Sequence, residues 1–116
     1  MSQSPPIACN LDALDRAEQA RRAELARSVV GRARRAVETA DGFALQIEDV
    51  PALIGDALEW VRLERRCCPF LRFELAFDTD TGPVWLRLGG GPGVKDYLAA
   101  SGLAASAAAR EACGCC

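Results

Sequence analysis

Two amphipathic helices and three alternating strands account for most of the apolar pattern along this chain. The first helix begins near Leu11, where Asn10 or Asp12 can cap it, and runs to about Val37. Apolar residues recur in this segment every four positions and form a modest stripe. The residues of this stripe are Leu25, Val29, Ala33 and Val37.

A strand and a second helix follow a turn. Asp41-Gly42 is a turn signal, and apolar residues then alternate with less apolar ones over residues 43–47. This alternation predicts a half-buried strand. Pro51 suits the first turn of a helix, which we expect to run to about Cys67 and to present a wide apolar face.

The last third of the pattern predicts two strands and a short helix. Residues 71–77 and 84–88 alternate and are separated by a turn, so they should pair as an antiparallel hairpin. A short helix follows and ends near Gly102. The order α-β-α-β-β-α predicts a small two-layer α/β domain, of the α+β type, with helices packed on a three-stranded sheet.

The ends of the chain differ from this pattern. We expect residues 1–102 to form one domain, in which residues 1–9 are a loose leader. Residues 103–116 are rich in alanine and cysteine, and we expect them to form a flexible tail.

Composition and charge narrow the function classes. The formal net charge is −2, which argues against nucleic acid as the main partner. The arginines of the first helix lack interleaved aromatic residues and should form a solvated face paired with Asp15, Glu18 and Glu24. No apolar run is long enough to span a membrane, so we expect no membrane insertion and a cytoplasmic location with reduced thiols.

The 6 cysteines and the absence of histidine are the strongest chemical signal. Cys67 and Cys68 are adjacent at the expected end of the second helix, where Pro69 stops it. Neighbours on a helix point about 100° apart, which disfavours burial of both thiols in one core pocket. Glu64 lies one turn earlier, either as a proton acceptor or weak ligand beside the thiols or as a surface partner of Arg65 or Arg66.

The charge around this pair acts in two directions. A helix C-terminus should raise the thiol pKa values, and the guanidinium groups of Arg65, Arg66 and Arg72 should oppose this. The sequence leaves the balance open. Trp60 and Trp85 are expected in the core rather than at a ligand.

A second cluster, Cys113, Cys115 and Cys116, ends the chain. It resembles the C-terminal vicinal cysteine pair of mercuric reductases. The segment from Glu64 to Phe73, followed by Val84–Leu88 and Gly93–Lys95, is similar to a family of small bacterial Cys-Cys-Pro-Phe proteins associated with heavy-metal resistance, especially to mercury. The resemblance implies a thiol-based role for Cys67 and Cys68, with the tail as a mobile accessory metal site.

Coordination chemistry ranks the ions. Thiolates select soft ions, and two sulfurs satisfy Hg(II). As(III) needs a third thiol, which the tail would supply, and structural Zn(II) usually needs four ligands from Cys-x₂-Cys spacings that are absent here. We therefore expect a protein that binds Hg(II) or an organomercurial in detoxification, alongside a metal-handling enzyme or transporter, and that requires no cofactor.

Three alternatives remain open from the sequence. One is a thiol–disulfide redox protein or sensor with a core-to-tail disulfide. Another is an enzyme that resembles the organomercurial lyases, with Cys67, Cys68 and Glu64 as its catalytic groups. The third is an interaction module that uses the arginine-rich first helix.

Overall fold

The computed structural model describes residues 7–101. This part of the chain is an α+β protein with three α-helices and a four-stranded antiparallel sheet. A one-turn 3₁₀ helix, Leu11–Ala13, comes first. The other elements are α1 (Arg16–Val29), β1 (Arg35–Glu38), β2 (Gly42–Ile47), α2 (Pro51–Cys67), β3 (Arg72–Phe77), β4 (Val84–Gly89) and α3 (Val94–Ala100).

The predicted first helix is too long at both ends. Asn10 caps a helix at Leu11 as expected, but this is the one-turn 3₁₀ helix, which ends before Leu14. Asp15 caps α1 and forms a capping box with Glu18. The helix ends at Val29 because the chain turns at Gly31, where any side chain would meet the carbonyl oxygen of Arg27. Ala33 and Val37, the last two residues of the predicted apolar stripe, therefore lie outside the helix.

The residues beyond this turn form β1, a strand that the sequence analysis did not predict. β1 pairs antiparallel with β2, and Thr39 donates its backbone N–H to the carbonyl of Gly42 across the connecting turn. The sheet therefore has four strands in the order β1-β2-β4-β3, and the predicted three-stranded sheet and its element order are wrong. Five of the six residues of β2 are buried, so this strand is more buried than the half-buried strand expected. At the positions that alternate with Phe43, Leu45 and Ile47, the small residues Gly42 and Ala44 are buried and Gln46 is partly exposed.

The predictions for α2 and for the hairpin that follows it are confirmed. α2 has Pro51 in its first turn and ends at Cys67, as the sequence indicates. β3 and β4 form the expected antiparallel hairpin in regular register from Arg72 opposite Gly89 to Phe77 opposite Val84. Trp60 is buried, whereas Trp85 is only partly buried and lies under the guanidinium of Arg35.

One apolar core joins the three helices to the sheet. Leu25 of α1, Leu53 of α2 and Leu98 of α3 pack in the same cluster as Leu45 and Leu86 of the sheet. Burial of this surface is the main driving force for holding the helices in place. Across residues 7–101, no helix is long and apolar enough to cross a membrane.

Candidate thiol site

The end of α2 places both adjacent cysteines in the protein interior. Cys67 and Cys68 each have 0% exposed surface, so the expectation that adjacency disfavours burial of both is wrong. The reason is local: Cys68 is the C-cap residue, with φ −126° and ψ 72°, and no longer follows the helical path. Pro69 disfavours helical backbone angles in the residue before it. Both side chains can therefore turn inward.

The N-terminal segment contacts this helix end. The backbone N–H of Asn10 donates to the carbonyl oxygen of Cys67 at 2.7 Å. This bond satisfies one of the carbonyls left free at the end of the helix. It also brings Cys9 beside Cys68, and the two form a disulfide across 59 positions of sequence. The expectation of a loose leader is therefore wrong for Cys9.

Three sulfurs form one cluster. The Sγ atoms of Cys9, Cys67 and Cys68 all lie within 4.8 Å of one another. Cys67 is the free thiol of this sulfur cluster, and its Sγ lies 3.6 Å from that of Cys68. The sequence pattern indicated Cys67 and Cys68 but not Cys9, because nothing in the local pattern links Cys9 to residues so far along the chain.

Glu64 is part of the interior rather than the surface. The residue is only 4% exposed, and its carboxylate accepts two hydrogen bonds from the guanidinium of Arg22, at 2.5 and 2.9 Å. One carboxylate oxygen also lies 3.6 Å from the Sγ of Cys68. The surface pairing with Arg65 or Arg66 is therefore not formed. An unpaired carboxylate this deeply buried would be costly, and the ion pair with Arg22 offsets that cost.

The thiol of Cys67 is held in its neutral form. Burial raises its pKa, and the negative charge of Glu64 raises it further, whereas the guanidinium of Arg22 lowers it. The arginines expected to oppose this rise are engaged elsewhere or exposed: Arg66 binds Glu18, and Arg72 binds Asp41. Arg22, which is 42 positions from Glu64, is the cation that the sequence analysis missed.

Tyr97 completes the surroundings of the sulfurs. Its hydroxyl lies 2.7 Å from the Sγ of Cys9, where it donates to the disulfide sulfur. The ring packs edge-on against Phe70, with ring centroids 5.0 Å apart. Burial raises the pKa of Tyr97, so the hydroxyl keeps its proton and remains a donor. Phe70 thus links the Cys-Cys-Pro-Phe sequence to α3.

The expected accessory site lies outside the described residues. Cys113, Cys115 and Cys116 fall beyond residue 101. Their proposed role stays a prediction.

The arginine face of α1 is partly as expected: Arg21 pairs with Glu24, but also with Glu59 of α2.

The fold and the site together define an α+β protein with a cluster of three cysteine sulfurs, two of them from buried residues, beside an ion pair whose carboxylate is buried. Comparisons with known proteins add no further assignment. No family model matches the chain, and no curated protein or solved structure matches it significantly.

Proposed function

We propose that the protein, with its disulfide reduced, binds a soft metal ion through Cys9, Cys67 and Cys68 as part of heavy-metal detoxification in the cytoplasm. The observation that carries this proposal is the cluster itself, with three sulfurs within 4.8 Å of one another. Soft thiolates select soft ions over Mg(II) or Ca(II). The resemblance to the Cys-Cys-Pro-Phe proteins puts Hg(II) first among these ions.

Once the disulfide is reduced, the cluster offers three thiolates, the number that three-coordinate binding uses. With metal–sulfur bonds of about 2.3 Å, a trigonal site separates its sulfurs by about 4 Å and a linear site by about 4.6 Å. The sulfurs of Cys67 and Cys68 are 3.6 Å apart while Cys68 is bonded to Cys9, a distance within about 1 Å of both values. Cys9 supplies the third thiolate that As(III) needs, a role for which the sequence analysis had only the tail. As(III) is therefore the second candidate.

Zn(II) is the weakest of the three ions. It prefers four ligands in its structural sites, and the sulfur cluster supplies three. Glu64 is the nearest further ligand group, but its carboxylate already accepts two hydrogen bonds from Arg22. Binding zinc would break that ion pair in the interior. Within the same ion pair, Arg22 lowers the pKa of Cys67 and so offsets part of the rise caused by burial and by Glu64.

Native mass spectrometry under excess competing thiol tests this proposal. The pre-reduced full chain is titrated with Hg(II), As(III) and Zn(II), next to a core variant with Cys9, Cys67 and Cys68 replaced by serine. The matched control replaces Cys113, Cys115 and Cys116 by serine instead. We expect the control to keep one Hg(II) or As(III) and the core variant to lose it. Unchanged affinity and stoichiometry in the core variant would refute the site.

The Cys9–Cys68 disulfide supports a second candidate, a thiol–disulfide redox protein. A dithiol reductant would transfer two electrons and two protons to this bond, giving two protein thiols and an oxidised dithiol. The disulfide that the sequence analysis expected was between core and tail; in the structure, the leader supplies the partner.

A redox titration with thiol trapping separates this candidate from a purely structural disulfide. A midpoint between about −220 and −320 mV places the bond within reach of the cytosolic thiol pool. A more negative midpoint would make the disulfide structural and would remove the redox candidate. The Cys67→Ser variant is the control, since it retains both members of the disulfide.

A further inference from the structure

A cavity of ≈360 Å³ lies next to the sulfur cluster, between α1, α2 and α3. Its walls are largely apolar, with Ala26, Val30 and Leu98 among them. Glu64 and Tyr97 also line it, and these are the two side chains whose oxygens approach the sulfurs of Cys68 and Cys9. A volume of this size is typical of a site for a small organic molecule.

Arg27, which is exposed, places a positive charge at the edge of the cavity. Arg22 and Glu64 line it but neutralise each other in their ion pair. Arg27 lines it as well, and no hydrogen bond or ion pair joins its side chain to any other residue between 7 and 101. A cationic ligand would therefore be repelled, whereas an anionic ligand would gain a partner at the cavity wall.

The ring of Trp60 contributes to the same wall. Trp60 is only 3% exposed, and its indole N–H has no hydrogen-bond partner among the described residues. The indole nitrogen has almost no accessible surface, so it does not open onto the cavity, and a ligand can contact the ring rather than this donor. The ring also packs edge-on against Phe73.

We propose that this cavity binds a small organic carboxylate with an apolar body. The carboxylate pairs with Arg27, and the apolar body packs against Val30, Leu98 and the ring of Trp60. A small aromatic or branched aliphatic acid meets both requirements. The site is separate from metal binding, and it stands whether or not the sulfur cluster holds an ion.

Benzoate is the probe, and NMR of the tryptophan indole N–H groups is the readout on the full chain. The Trp85→Phe variant assigns the two indole signals. We expect benzoate to shift the Trp60 signal saturably and to leave that of Trp85 in place. Benzylamine has the same ring with the opposite charge, and we expect no saturable shift from it.

Two variants test the charge and the space. Arg27→Gln should weaken benzoate binding about tenfold, the value of one charge-assisted hydrogen bond. Arg16→Gln, at the far end of the same helix and outside the cavity, is its control. Ala26→Phe should fill the cavity and abolish binding, whereas Ala23→Phe, exposed on α1, should not. Unchanged thermal unfolding shows that each variant is folded.

Three results would overturn the proposal. The first is no saturation of the Trp60 shift up to about 10 mM benzoate, since a preformed site should bind more tightly than that. The second is an equal response to benzylamine. The third is benzoate binding that Arg27→Gln leaves unchanged.

Discussion

The buried ion pair between Arg22 and Glu64 gives the sharpest prediction for stability. Replacing Arg22 by methionine keeps most of the apolar volume but leaves the Glu64 carboxylate in the interior without its partner. The Glu64 side chain is 6% exposed and that of Arg22 is 25% exposed. Breaking a buried pair costs about 3–5 kcal/mol, and partial access of water to Arg22 places this variant near the lower end, at about 3 kcal/mol.

Urea unfolding under reducing conditions measures this loss, and a thermal scan checks it independently. A loss of about 3 kcal/mol lowers the melting temperature of a domain of this size by about 12 °C. Arg21→Met is the matched control, because it removes the neighbouring arginine of the same helix. The side chains of Arg21 and Glu59 are 39% and 46% exposed, so we expect a cost of at most about 1 kcal/mol.

A double variant isolates the cause. Arg22→Met with Glu64→Leu removes both charges, and we expect it to regain stability to within about 1 kcal/mol of the original chain. If Arg22→Met cost no more than Arg21→Met, the argument from burial would be refuted. If the double variant were as unstable as the single one, lost packing rather than the unpaired charge would be the reason.

Three further predictions concern the disulfide, the thiol and the sheet. The Cys9–Cys68 bond closes a loop across 59 positions, and in the chain-entropy account its reduction costs about 4 kcal/mol. Calorimetry with and without reductant should show this loss, and Cys9→Ser should abolish the dependence on reductant; a melting temperature insensitive to reductant contradicts it. Because burial raises the pKa of Cys67, the folded state holds this proton more tightly than the unfolded state does. Stability should therefore fall as the pH rises above about 8.5, the pKa of an unfolded cysteine, and Cys67→Ala should show a smaller fall in urea midpoint between pH 7 and pH 10. Tyr97→Phe controls for the titration of the nearby hydroxyl, and an identical fall in Cys67→Ala would be evidence against the assignment. Finally, a side chain at Gly42 would meet the carbonyl oxygen of Leu88 in β4, so Gly42→Ala should destabilise the protein by about 1–3 kcal/mol in urea unfolding. Gly55→Ala, at an open position of α2, should instead stabilise it by about 0.5–1 kcal/mol, and the same sign for both would count against this account.

The binding proposals and these stability predictions share one set of contacts. Arg22 stabilises Glu64, lowers the pKa of Cys67 and lines the cavity. Removing it should therefore change thiol reactivity as well as stability. In Arg22→Met we expect alkylation of Cys67 to need a higher pH than in the original chain, and a rate profile against pH measures the shift.

The sequence by itself determined the elements whose limits are set by local chemistry. Pro51 fits the first turn of α2 and Pro69 prevents its continuation, so the helix was predicted to its observed end. Period-two alternation predicted β2, β3 and β4 because successive side chains of a strand face opposite sides. The adjacent cysteines were also visible, since residue type alone identifies a thiol.

Local pattern was insufficient where two structures fit the same residues. The apolar spacing up to Val37 fits a helix, yet residues 35–38 become β1 because they can pair with the exposed edge of β2. The hydrogen bonds of this pairing can form only when β2 is already part of the sheet. Propensity is a weak prior in such a segment, and the tertiary contact decides it.

The candidate site depended most on tertiary structure. Cys9 reaches Cys68 across 59 positions, and Arg22 reaches Glu64 across 42. Neither of these sequence separations corresponds to a helical or strand repeat, so no periodicity could have linked these residues. The residue types at the end of α2 indicated thiol chemistry. The packing of α1, the N-terminal segment and α3 around that helix end determined which thiols, which cation and which hydroxyl surround it.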